Sequence, residues 1–194
     1  ADYACSVFAI DVDGDGDVDV LAASERDDTV AWYENDCGTH APTGSFAPTS
    51  APTATRSPSA APTPRSTVRC VSVAFSERVI TTMADTVTLT FAIDVDGDGD
   101  VDVLSASYQD DTVAWYENDG SQSFTERVIT TLADGAYSVY AIDVDGDGDV
   151  DVLSASYWDD TVAWYENDGS QSFTERIITT LADGARSVYA IDMD

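Results

Sequence analysis

Lysine is absent from this 194-residue chain and histidine occurs once; all eight cationic residues are arginine, against 37 acidic ones. The formal charge of −29 and pI near 4.1 repel nucleic acid and anionic membrane surfaces, so neither is expected as a partner. No apolar run approaches a membrane span, and direct membrane insertion is not expected. No signal peptide is visible, but the chain opens inside a repeat, which leaves secretion open. His40 stands alone, so no Ser–His–Asp or Cys–His set can be assembled. Proline is missing from most of the chain: all six prolines fall within residues 38–69, with many Ser, Thr and Ala and no acid. Such a stretch cannot bury enough apolar area to order itself and reads as a low-complexity insertion, open to O-glycosylation. Two of the three cysteines, Cys37 and Cys70, stand at its ends. A disulfide there would close the base of the excursion and stabilise by roughly 3–4 kcal/mol in the chain-entropy model. The alternative is two free thiols flanking a translated non-coding insert.

What is abundant is aspartate, in a fixed arrangement. The nonapeptide DVDGDGDVD occurs at residues 11–19, 94–102 and 143–151, and Asp192 and Asp194 begin a fourth copy. Asp94, Asp143 and Asp192 lie 49 residues apart, a period in the range of propeller blades. Residues 94–142 and 143–191 differ at three positions only: Gln109/Trp158, Val128/Ile177 and Tyr137/Arg186. The first repeat is longer by 34 residues, the excess lying between Asn35-Asp36 and Phe75. With 43% hydrophobic and 10% aromatic residues, the chain can build a core despite its charge.

Within one period the pattern is that of strands. Ser138 to Ile142 leads into the acidic loop, Val150 to Tyr157 follows it, and Thr161 to Glu166 and Phe173 to Thr180 complete the unit. NDGSQS, with its Asp-Gly pair, connects the last two strands as a tight turn. Four short antiparallel strands bury both faces only when such sheets stack radially. The expected fold is therefore all-β: a partial β-propeller of about three four-stranded blades. Its segments are a first partial blade over 1–37, the insertion over 38–69, and further blades over 70–194. Trp32, Trp115 and Trp164 are expected in inter-blade packing rather than as a sugar-stacking platform.

Two carboxylates about 4 Å apart repel by ~1 kcal/mol even in water. Five in one hairpin need a cation among them. With Asp143 as position 1, the side chains of Asp143, Asp145, Asp147 and Asp151 can converge, joined by the backbone carbonyl of Asp149, while Gly148 permits the sharp turn. All-oxygen ligands favour a hard, flexible-coordination cation, Ca²⁺ over Mg²⁺. It is not an EF-hand: position 12 is Ala22, Ser105 or Ser154, and the flanks are strands. A solvated acidic turn without an ion, and carboxylates doing acid–base chemistry, are the alternatives.

The unit VYAIDVDGDGDVDVLSAS followed by TVAWYENDGSQSF resembles the FG-GAP/VCBS repeat, the blade of integrin-α-like β-propellers. The resemblance implies a calcium hairpin between the first two strands of each blade and an extracellular or cell-surface setting. It assigns Asp11, Asp13, Asp15, Asp17 and Asp19 to one ion. Asp94, Asp96, Asp98, Asp100 and Asp102 hold a second, and Asp143, Asp145, Asp147, Asp149 and Asp151 a third. Asp192 and Asp194 would start a fourth site.

In such a meander the acidic loops and the NDGSQS turns share one rim. The opposite rim carries Gln109, Trp158, Tyr137 and Arg186, with Arg26 aligned to Gln109. A protein or glycan ligand is expected on that variable rim. The expected function is a calcium-binding extracellular binding or adhesion module with no chemistry of its own. The alternative is a non-catalytic propeller segment of a larger carbohydrate-active enzyme, a lyase or dehydratase.

Overall fold

The computed structural model describes residues 3–37 and 73–191. Twelve strands run β1 (Ala4–Ile10), β2 (Asp19–Ser24), β3 (Thr29–Cys37), β4 (Val73–Thr81), β5 (Val87–Ile93), β6 (Asp102–Ser107), β7 (Thr112–Asn118), β8 (Phe124–Thr130), β9 (Ala136–Ile142), β10 (Asp151–Ser156), β11 (Thr161–Asn167) and β12 (Phe173–Thr179). They form three four-stranded sheets, β1–β4, β5–β8 and β9–β12, each in sequential antiparallel order. The fold is the expected all-β arc of three blades. The first blade is completed from both sides of the insertion, with Asp36 opposite Ala74 and Cys37 opposite Val73. The pairing of Cys37 with Cys70 lies outside the described residues, as do Asp192 and Asp194.

Each blade has two apolar faces because its strands alternate two apolar sets. The forward face of blade one presents Val12, Leu21, Ala23, Val30 and Trp32. Against it stands the back face of blade two, with Ala92, Val103, Tyr116 and Phe124. The same residue types recur one period later: Val95, Leu104, Ala106, Val113 and Trp115 face Ala141, Val152, Tyr165 and Phe173. Trp32 and Trp115 are 1% and 2% exposed, so these indoles are inter-blade core, as expected. Removing one leaves a large cavity at a cost of about 3–5 kcal/mol.

The strand ends depart slightly from the sequence pattern. A bulge at Ala155/Ser156 pairs Ser156 with Ala136, so β9 starts two residues before Ser138. The aspartate closing each β2–β3-type turn has a further task. Asp28, Asp111 and Asp160 take φ values of 53°, 58° and 57°. Their Oδ1 atoms accept from Thr86 N, Gly135 N and Gly184 N at 2.9, 2.8 and 2.9 Å. Each thereby clamps the connection to the next blade.

Candidate metal centres

The acidic loops span the β1–β2, β5–β6 and β9–β10 connections and share one curled backbone. In the second loop Asp94 accepts from Gly97 N at 2.7 Å and from Gly99 N at 2.9 Å. Asp96 accepts from Asp98 N, and Asp98 from Asp100 N, at 3.1 and 2.9 Å. The tight curl requires left-handed backbone at Gly97 (φ 78°) and Gly99 (φ 99°), which glycine adopts without a Cβ penalty. The first and third loops repeat these bonds within about 0.1 Å.

The last aspartate of each loop sits differently. Asp19, Asp102 and Asp151 are 1%, 0% and 1% exposed. Asp102 accepts from Val95 N at 2.9 Å and from Asn118 N at 2.8 Å, so one carboxylate straps the loop's start to β7. The same two bonds recur at Asp19 and at Asp151. Asn118 Nδ2 in turn donates to Val101 O at 3.1 Å, matched by Asn35 and Asn167. These asparagines were not singled out in the sequence; their signal is the constant Asn after TVAWYE. Asn118 Oδ1 accepts from Gly120 N and Asn167 Oδ1 from Gly169 N, both at 3.2 Å. Asn35 Oδ1 is buried without a partner among the described residues; in blade one β3 runs on through Cys37, opposite Val73, where the other blades turn at Gly120 and Gly169.

Carboxylate oxygens converge to within 4.8 Å of one another in three groups: Asp11, Asp13 and Asp15; Asp94, Asp96 and Asp102; and Asp143, Asp145 and Asp151. Positions 1 and 3 belong to every group, completed by position 5 in the first and position 9 in the others. Asp98 and Asp147 stand at the loop tips, each accepting from the amide two residues on. The side chains of Asp100 and Asp149 turn to the neighbouring turns, where a Cβ on Gly120 or Gly169 would come within 2.5 or 2.6 Å of them. Gln122, from the turn of the following blade, donates to Asp13 Oδ2 at 3.3 Å.

The clustered carboxylates are hard to ionise together. Loss of solvent, then neighbouring carboxylates, push Asp13, Asp96 and Asp145 above the ordinary carboxylate range. Burial raises Asp102 to about 7, outweighing the two backbone N–H groups that pull it down. A carboxylate cluster that resists ionisation in isolation is one that a hard divalent cation relieves. The donor set fits such an ion: all-oxygen, anionic, on a flexible loop beside a rigid strap.

On the opposite rim three of the five variable residues meet. Trp158 packs on Tyr157 (4.8 Å between centroids) and Tyr108 (5.9 Å). Arg186 lies over Tyr157 at 4.8 Å and Tyr137 at 5.4 Å. Trp158 remains 61% exposed. Arg26 instead covers Tyr3 at 4.2 Å in blade one, and Gln109 engages Asp85 O through its backbone N–H. Tyr108 and Tyr157 do not differ between the last two repeats and so did not stand out in the sequence; they are the floor on which the variable residues stand.

The chain matches the family described as FG-GAP-like repeat over residues 11–63, 94–154 and 143–194. Every matched span begins on the first aspartate of an acidic loop. Among curated proteins, none matches the chain.

Proposed function

The chain belongs to the FG-GAP-like repeat family, and on that premise we propose that it is a calcium-stiffened binding or adhesion module of the extracellular space or cell surface, with no chemistry of its own. The observation that carries this reading is the threefold convergence of carboxylate oxygens within 4.8 Å, each beside a buried aspartate strap. Asp94, Asp96 and Asp102, with Asp143, Asp145 and Asp151 and with Asp11, Asp13 and Asp15, would hold Ca²⁺, which neutralises each loop and stiffens the hairpin it closes. Extracellular modules of this kind bind calcium at about 10⁻⁴–10⁻³ M, so external calcium keeps them loaded.

The ligand-binding task falls to the rim of Tyr137, Trp158 and Arg186. Its aromatic surface and its cation suit a protein or glycan ligand, in a chain otherwise dominated by negative charge. The test is binding of the wild type, Trp158→Ala and Arg186→Ala to immobilised glycans and candidate surface proteins, with calcium affinity measured in parallel. Both variants should lose ligand at least about tenfold while keeping calcium affinity. Unchanged ligand binding, or joint loss of ligand and calcium, would refute the assignment of tasks to rims.

A further inference from the structure

In blades two and three the turn between the last two strands leans over the acidic loop of the blade before. Gln122 Nε2, from the β7–β8 turn, donates to Asp13 Oδ2 in the first loop at 3.3 Å. One period on, Gln171 of the β11–β12 turn lines a hollow of about 60 Å³ together with Asp94, Asp96 and Gly97 of the second loop. Asp13 belongs to the first group of converging carboxylates, and Asp94 and Asp96 to the second. The same residue of the repeat thus reaches across both junctions inside the arc.

Gln122 and Gln171 take φ values of 63° and 58°, where glycine would sit with less strain. The turn that carries each glutamine is also tied to the acidic loop of its own blade. Asn167 Oδ1 accepts from Gln171 N at 3.1 Å, and Asn167 N donates to the buried Asp151 at 2.8 Å. Asp151 is itself one of the third group of converging carboxylates. A continuous path therefore runs from the third loop, through Asn167 and Gln171, to the second. In blade two, Asp102, Asn118 and the turn at Gly120 form the corresponding path toward Gln122 and the first loop.

We propose that Gln122 and Gln171 complete the cation sites of the preceding blades, so that each of these two ions is held by two blades and braces the junction between them. The inference rests on the calcium reading above. A carboxamide suits both states of such a site. Its N–H groups donate to a carboxylate, and turned over, its oxygen is a neutral ligand of the kind calcium accepts. Neighbouring sites are then coupled. An ion in the second loop fixes Asp102 and the turn that carries Gln122, which favours an ion in the first loop.

The experiment is a calcium titration of chelator-treated protein followed by NMR, with the amides of Gly16, Gly99 and Gly148 reporting the three loops separately. Gln122→Gly should weaken calcium at the first loop about fivefold, and Gln171→Gly at the second by as much. Neither should lower the melting temperature in chelator, because glycine accepts the left-handed backbone. Gln122→Glu should act the other way. Its added anionic oxygen should strengthen calcium at the first loop about fivefold and, by repelling Asp13, lower the melting temperature in chelator. Asp96→Asn, which removes a ligand from the second loop, should also weaken calcium at the first about fivefold. Calcium bound at all three loops, with both glycine variants indistinguishable from wild type, would overturn the inference and leave the calcium reading standing. So would affinity losses matched by falls in the chelator melting temperature, which would make the glutamines structural braces only. First-loop affinity unchanged in Asp96→Asn would overturn the coupling. No binding at any loop would refute the calcium reading and the inference together.

Discussion

Asp102→Asn removes one charge from the central loop while nearly preserving its shape. The side chain is fully buried, and its two oxygens accept from Val95 N and Asn118 N. Without a cation the substitution has two opposing effects. One of the two accepted bonds is lost, costing about 1–2 kcal/mol, and a carboxylate pushed up to about 7 is no longer forced to ionise, which returns a similar amount. Melting in chelator should therefore change little. With calcium the balance differs, because the site loses an anionic ligand. A cation present at a hundred times its dissociation constant stabilises the native state by about 2.7 kcal/mol per site. For a chain of this size that corresponds to ~5–10 °C in melting temperature, and this calcium-dependent increment is what Asp102→Asn should forfeit. Asp100→Asn is the control. Its side chain faces Gly120 rather than the converging oxygens, and it should forfeit less than about 1 kcal/mol. Differential scanning calorimetry of all three proteins, in chelator and in calcium, reads the effect. If Asp102→Asn lowers the midpoint equally in both buffers, the aspartate is a structural strap only. If Asp100→Asn loses as much as Asp102→Asn, the geometry assigned to the loop is wrong.

Acidification should act in opposite directions in the two buffers. Asp102 binds a proton in the folded, cation-free state up to a pH of about 7, whereas the unfolded chain releases it near 3.8. In chelator, lowering the pH from about 8 to about 5 should raise the melting temperature; in calcium it should lower it, because protons compete with the ion. A fall in both would refute the assignment of that raised value. Asn118→Ala removes the donor to Val101 O and the acceptor of Gly120 N from a buried position, and should cost about 1–3 kcal/mol with or without calcium. Denaturant titration in both buffers checks it, and a loss confined to calcium would contradict a bracing role. Gly135→Ala would place a methyl 2.5 Å from Trp158 Cδ1 on backbone at φ +67°, and should cost about 1–2 kcal/mol while shifting tryptophan emission as the indole swings out. An unchanged spectrum would mean that Trp158 does not rest on that glycine.

The blades were legible because their signals are local and redundant. Alternating VAWY on a central strand has no stable arrangement except between two neighbours, and Trp32 and Trp115 are buried accordingly. The DVDGDGDVD segments were equally plain as loops between paired strands, since two glycines interrupt each run of aspartates. What stayed hidden was whatever depends on the third dimension. Asn118 reaches its loop across 17 residues, and Asp111 clamps a connection 24 residues away. Both sat in stretches that read as ordinary turns. The near-identity of the last two repeats also misled by contrast: comparing them lifted out Trp158 and Arg186 but left Tyr108 and Tyr157, on which those side chains rest, in the background. In the first repeat, order along the chain concealed that β3 and β4 continue one sheet across the insertion.

The central claim is that each acidic loop is a cation site rather than a solvated turn. Isothermal titration of chelator-treated protein with calcium tests it most directly. One ion per described carboxylate group, three in all, with no comparable heat from magnesium, is the predicted result. Absence of binding at millimolar calcium, with the protein folded throughout, would contradict it.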